Sequence, residues 1–243
     1  MNIETKQISF ISHGFRLSGV LTYPLPKNSY FGVLFLHGGG KYTDSRYTKW
    51  QKFLAENGYS SMSFFCQGVS TSQGQFEDST LKQRLLDSEE ALNFFLNSGV
   101  VDQAGIAVVG TSMGGHIANQ LSTHKKVQAL ILESAAAYPE EAEDKKLNNS
   151  FTQIIRSTYD FSKLPVFDLL SQFNYPVLTV YGQNDTIIPE QVKVEYRKRA
   201  KKTESVVLKN GGHSLLLPKN NLEEKARQEL FTVSLSFLNR CFS

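Results

Sequence analysis

The chain has 243 residues, 40% of them hydrophobic and 20% charged, with 26 basic against 23 acidic side chains and a formal net charge of +3. That length can bury a substantial core and fits one domain spanning 1–243, while the diffuse charge, without a run of five like residues, gives no footing for nucleic acid or an anionic membrane. No window approaches 18 uninterrupted apolar residues, and the opening MNIETKQISF lacks the apolar segment of a signal peptide, so the expectation is a cytoplasmic protein with no integral membrane association.

In chain order, KQISFIS and FRLSGVLTYP alternate in polarity on either side of His13-Gly14, which predicts an antiparallel hairpin closed at Pro24. The rhythm then changes to short apolar runs, FGVLFLHGGG, YSSMSFFC, GIAVVG, VQALILES and YPVLTVYG, most of them separated by segments with helical spacing. Such alternation predicts an α/β protein: a mostly parallel sheet with helices on both faces. In STLKQRLLDSEEALNFFL, Leu81, Leu85, Leu92, Phe95 and Leu96 share one stripe, with Ser79 placed to cap the start and Gly99 just past the end. Between about Ala136 and Asn174 the chain carries no strand signal, and a stretch of that length predicts a cap or binding loop inserted in the domain. Its aromatic residues, among them Tyr138, Phe151, Tyr159, Phe167 and Phe173, either line a pocket or pack together, and packing is the expectation. Leu222, Ala226, Leu230, Val233 and Phe237 then predict a last helix lying on the sheet. Cys66 and Cys241 are far apart and lack metal-ligand spacing, so free buried thiols are expected.

Ser112 lies in G-T-S-M-G, a match to G-x-S-x-G that follows a predicted strand and opens a predicted helix. In that context the serine is either a nucleophile on a sharp turn or an N-cap, and Thr111 can cap equally well. A serine hydroxyl needs a base, and the base needs an orienting group. Downstream, Asp185 is the sole carboxylate in the loop between YPVLTVYG and Pro189, and His213 follows the run VVLKNGG. Each has an ordinary alternative, a turn aspartate and a solvated loop histidine. Of the other histidines, His13 belongs to the hairpin turn, His116 and His124 to the helix after Ser112, and His37 to a glycine-rich turn. His213 is therefore the candidate base, and both partners fall where a parallel sheet presents its loops, at the carboxyl ends of strands. Acyl transfer also needs donors for a developing oxyanion. The turn HGGG after a strand and the residue following the serine supply them in Gly39 and Met113. A phosphate loop is disfavoured by the glycine spacing, and with no Cys/His cluster the reading requires neither metal nor organic cofactor.

Taken together, HGGG, GTSMGG, GQNDTIIP and GGHS resemble the α/β-hydrolase superfamily, especially the monoacylglycerol-lipase and feruloyl-esterase-like (serine aminopeptidase-type) serine hydrolases, over most of the chain. The resemblance implies an α/β-hydrolase fold with a small cap insertion at about 136–174, and cleavage of a carboxylic ester of a small or medium-sized substrate. The chain order Ser112, Asp185, His213 agrees with it. One loop departs from the pattern: in CQGVSTSQG, Cys66 and Gln67 replace the usual charged pair, so the resemblance carries a reaction type rather than a particular member's substrate. Thioesterase, amidase or acyltransferase chemistry at the same residues, and a non-catalytic ligand-binding protein of this fold, are the alternatives, and a small-molecule acyl compound is the expected partner.

Overall fold

The computed structural model describes residues 1–41 and 46–242. Strands β1 (Ile3–Ser12) and β2 (Phe15–Pro24) form the predicted hairpin, in register from Ile3 opposite Pro24 to Ser12 opposite Phe15. Its turn residues His13 and Gly14 both have positive φ, 46° and 87°, the handedness that matches the twist of paired strands. Beyond the hairpin come β3 (Tyr30–Leu36), β4 (Ser60–Phe64), β5 (Val101–Thr111), β6 (Val127–Glu133), β7 (Val177–Gly182) and β8 (Thr203–Leu208). The sheet order is β1-β2-β4-β3-β5-β6-β7-β8, with β2 antiparallel to β4 and every pair from β4 to β8 parallel. The chain leaves β3 toward β4 on one side and returns past it to β5 on the other. The connections from the carboxyl ends of β3 and β5 therefore diverge there and leave a crevice.

Period-two alternation sends successive strand residues into two cores. On one face Val33, Phe35, Ala107, Val109 and Val180 pack with Trp50 and Leu54 of α1 (Thr48–Glu56) and with Leu230 and Phe237 of α7 (Asn221–Phe242). On the other, Leu34, Leu36, Ile106, Val108 and Leu130 meet α2 (Leu81–Leu96), α3 (Met113–Leu121) and α6 (Glu190–Arg199) through Leu92, Ile117 and Val192. Both faces are thus covered, as near-continuous apolar strands require.

Two local expectations shift. Helix α2 is capped by Thr80, whose hydroxyl accepts the Gln83 N–H at 3.0 Å, and not by Ser79. A cap oxygen reaches only the second or third helical N–H, and Ser79 sits one residue too early. In α7, Leu222 is exposed, and the inward stripe runs instead through Ala226, Leu230, Phe231, Ser234, Phe237 and Leu238. Both cysteines are free, Cys66 buried and Cys241 half-buried.

The connection from β6 to β7 holds α4 (Asn149–Ser157) and α5 (Pro165–Gln172). Its aromatic residues Tyr138, Phe151, Phe167 and Phe173 are buried, whereas Tyr159 is 84% exposed. Tyr138 stands edge-on to His116 of α3 at 5.2 Å between ring centres, and His116 Nε2 meets the Glu143 carboxylate at 2.7 Å. These contacts fasten the connection to the helix that follows Ser112.

Candidate active site

Thr111 ends β5 and Met113 begins α3, so a single residue makes the turn between them. That residue, Ser112, has φ 52° and ψ −116°, a conformation that side chains other than glycine seldom adopt. The flanking glycines follow from the crowding this turn creates. A Cβ on Gly110 would lie 2.4 Å from the Gly114 carbonyl oxygen, and one on Gly114 would lie 2.1 Å from the Leu36 oxygen. Backbone bonds hold the turn, with Ser112 N–H donating to Glu133 O and Ser112 O accepting from Gly115 and Ala136, each at 2.9 Å. Although Ser112 occupies the N-cap position of α3, its hydroxyl makes no capping bond.

The hydroxyl instead meets His213: Oγ lies 3.1 Å from Nε2, and Nδ1 on the far side of the ring lies 3.1 and 3.2 Å from the two carboxylate oxygens of Asp185. In this arrangement Nδ1–H donates to the carboxylate, leaving the Nε2 lone pair for the serine hydroxyl. Asp185 is buried and held from behind, its Oδ1 accepting the N–H groups of Ile187 at 2.9 Å and Ile188 at 3.2 Å. Gly182 brings the two loops together. A Cβ there would sit 2.4 Å from the carbonyl oxygens of both Gly211 and Gly212. Burial opposes ionisation of Asp185, but His213 and the two backbone donors outweigh it and the pKa falls below the usual value. Burial likewise opposes charge on His213, yet its bond to Asp185 and the nearby negative charges raise its pKa above 6.5.

An α/β-hydrolase domain model matches residues 30–238. The chain belongs to the α/β-hydrolase family, a family of hydrolytic enzymes. None of the curated proteins matches it significantly in sequence. Among solved structures it is similar to Est1E of Butyrivibrio proteoclasticus bound to ferulic acid, with TM-score 0.72 and 20% identity over 94% of this chain and 98% of that one. Similar too are the α/β hydrolase GrgF of Penicillium sp. sh18, with TM-score 0.75 and 15% identity over 98% and 99%, and the acylaminoacyl peptidase of Pyrococcus horikoshii, with TM-score 0.76 and 17% identity over 99% of this chain but 42% of that one. At such identities the likeness extends to the fold.

In this α/β-hydrolase, Ser112 and His213 open on a cavity of about 130 Å³ lined also by Gly38, Gly39, Arg46 and Leu215 to Leu217, and by no residue of the 136–174 segment. A larger cleft of about 370 Å³ lies near the amino ends of β6 and β7, by His124 and Tyr175, away from this chemistry. Gly39 packs against the residue after the serine, since a Cβ on it would lie 3.1 Å from Met113 Cε. The peptide between Gly38 and Gly39 is held by its carbonyl oxygen, which receives His37 Nδ1–H at 2.8 Å and Arg84 Nη1–H at 3.2 Å. Across a trans peptide the following N–H points the opposite way, so the carbonyl's anchors fix the direction of the Gly39 N–H. Burial, reinforced by the Arg84 charge, lowers the His37 pKa to about 3, so the ring is neutral and its Nε2 accepts the Cys66 N–H at 3.1 Å.

Among the described residues, Arg84 and Glu133, like the cavity-lining Arg46, are charged residues at the site with no counterpart in the sequence reading. Arg84, 1% exposed on α2, anchors the Gly38 carbonyl. Glu133, fully buried, ends β6 beside Ser112. A carboxylate closing the apolar run VQALILE at a strand's carboxyl end was a legible signal for Glu133; Arg84 carried none, because arginine is ordinary on an amphipathic helix. Among the described residues no cluster of three or more His, Cys, Asp and Glu side chains is arranged to hold a metal, and no helix is long and apolar enough to cross a membrane.

Proposed function

We propose that the protein is a serine hydrolase that cleaves carboxylic esters with small or medium-sized acyl groups through an acyl-enzyme. The observation that carries this reading is the continuous chain of contacts from Ser112 Oγ to His213 Nε2 at 3.1 Å and from His213 Nδ1 to Asp185 at 3.1 Å. Ser112 Oγ attacks the acyl carbon and passes its proton to His213 Nε2, while Asp185 holds the ring and offsets the imidazolium charge. The carbonyl oxygen, now an oxyanion, receives the N–H groups of Gly39 and Met113, the latter also at the positive end of α3. Collapse expels the alcohol, which takes the proton from His213. Water, deprotonated by the same ring, then attacks the acyl-enzyme, and collapse of the second tetrahedral adduct frees the acid and returns the proton to Ser112. The modest cavity beside Ser112 supports a compact acyl group.

A fluorophosphonate probe and a short activated ester test the proposal together. The wild-type protein is expected to hydrolyse the ester and to carry the probe on Ser112. Both properties should fall by about 10³-fold or more in Ser112→Ala and His213→Ala. Folded wild-type protein that neither turns over esters nor takes the label would replace this reading with that of a binding protein.

A further inference from the structure

Glu133 stands opposite Thr111 of β5 and Val180 of β7, between the strand that leads into Ser112 and the strand that leads to Asp185. It lines the cavity shared by Ser112 and His213, and its backbone carbonyl holds the Ser112 N–H. Its side chain is fully buried, and neither carboxyl oxygen makes a well-formed hydrogen bond among the described residues. The hydroxyls of Thr111 and Ser134 lie close enough to favour its charged form, but they too lack a well-formed partner. A buried carboxyl so poorly satisfied costs folding energy, and a leucine would fill the same place without that cost. Retaining an acid here has a chemical rationale in the neighbouring groups: the imidazole of His213 and the carboxylate of Asp185 at the carboxyl edge, with Tyr181 of β7 and the cavity-lining Arg46 as further titratable or charged groups around it among the described residues.

We propose that Glu133 is a second carboxyl working through His213, contributing negative charge beside the imidazolium as the serine proton is transferred. The inference rests on the Ser112, His213, Asp185 assignment. The Glu133 carboxyl makes no hydrogen bond to the serine hydroxyl or the imidazole, so it is a positioning residue that acts through the electrostatics of the base. Burial pushes its pKa up to about 7, against the opposing pull of the Thr111 hydroxyl and the His213 charge. It therefore gains its charge near neutrality, and that charge bears on the imidazole, whose own pKa is raised. Because charge on Glu133 raises the basicity of His213, the rate should carry the signature of both groups.

Hydrolysis of a short activated ester, measured from pH 5 to 9, tests this in four proteins: wild type, Glu133→Gln, Asp185→Asn and the double variant, each checked for native near-UV circular dichroism. In Glu133→Gln the acid limb of kcat/KM is expected to move to lower pH by about half a unit or more. In Asp185→Asn, residual activity relative to the double variant should rise from near parity at pH 5.5 to about tenfold at pH 8.5, as the remaining carboxyl ionises. An unmoved acid limb, or a ratio that stays at one across the range, overturns the inference. Should Glu133→Gln fail to fold, Glu133→Leu provides the same loss of charge and the same two readouts. Full activity in Ser112→Ala would instead undo the underlying assignment, so the two failures are separable.

Discussion

Replacing Glu133 with glutamine should stabilise the protein, and increasingly so as the pH rises from 4.5 through neutrality. The carboxyl titrates at about 7 in the folded chain against 4.5 for an unperturbed glutamate, with burial as the main cause. A raised folded pKa means that the native state keeps a proton the unfolded chain has already released. Stability from this group is thus whole below 4.5, declines as the pH rises toward 7, and stays lower above it. At about 1.36 kcal/mol per unit, the shift amounts to about 3 kcal/mol, a large part of the 5–15 kcal/mol typical of a folded domain. His213, whose folded pKa is also raised, loses stabilisation in the same direction as the pH climbs through its own pKa above 6.5. With the half-unit shift of His213 inferred above, that contribution differs by about 0.7 kcal/mol between the two proteins, well short of the change at Glu133 itself. Urea unfolding of wild type and Glu133→Gln at pH 5 and pH 9, with equal slopes, gives the difference directly. Unfolding free energies that differ by about 1 kcal/mol at pH 5 and by about 3 kcal/mol at pH 9, both in favour of the variant, are expected. A stability difference that is the same at both pH values would refute the reasoning, because the buried carboxyl would then have found its compensation elsewhere.

Other substitutions probe how the site is assembled. In Gly182→Ala the new methyl group meets the carbonyl oxygens of Gly211 and Gly212 at 2.4 Å, so the loops carrying Asp185 and His213 must part. Ester hydrolysis is expected to fall by about 10² with a stability loss of about 1–3 kcal/mol, read from kcat/KM and urea midpoints. Thr80→Ala removes the cap of α2 and should cost about 1 kcal/mol, whereas Ser79→Ala, whose hydroxyl caps nothing, should leave the urea midpoint nearly unchanged.

The architecture was legible because its strands obey a simple physical rule. A parallel sheet covered on both faces needs apolar residues at both parities of each strand, and GIAVVG, VQALILE and YPVLTVYG show that pattern as continuous runs. The hairpin was legible from the partial alternation on either side of His13-Gly14, although only the outer strand β1 is largely exposed while β2 is buried from Gly19 to Pro24. Boundaries were less so. Strand β5 begins at Val101, ahead of the run GIAVVG, because Val101 pairs with Tyr30 on β3, and pairing partners are not written in the strand's own sequence. The cap of α2 was misplaced by one residue because Ser79 and Thr80 are equally able acceptors. Only the start of the helix decides which of them reaches Gln83.

At the site, Ser112, Asp185 and His213 stood out by their glycine-rich turns, whereas Arg84 carried no local signature and the terminal carboxylate of VQALILE, though legible, was passed over. Gly110 and Gly114 around Ser112, and Gly182 three residues before Asp185, are demanded by close backbone approach, and His213 follows Gly211 and Gly212; all of these glycines can be read from the chain. Arg84 and Glu133 have no neighbouring glycines of this kind. Each matters through what lies opposite it across the fold, the Gly38 carbonyl for one and the space between β5 and β7 for the other. The geometry also explains how one turn can serve two ends. The carbonyl of Gly38 is secured by a cationic side chain and a neutral histidine, and the histidine stays neutral partly because that cation stands beside it. Arg84 therefore preserves His37 Nε2 as the acceptor of the Cys66 N–H, which leaves Nδ1–H for the Gly38 carbonyl, and adds its own bond there, so the direction of the Gly39 N–H depends in part on a charge that faces the back of the peptide rather than the substrate.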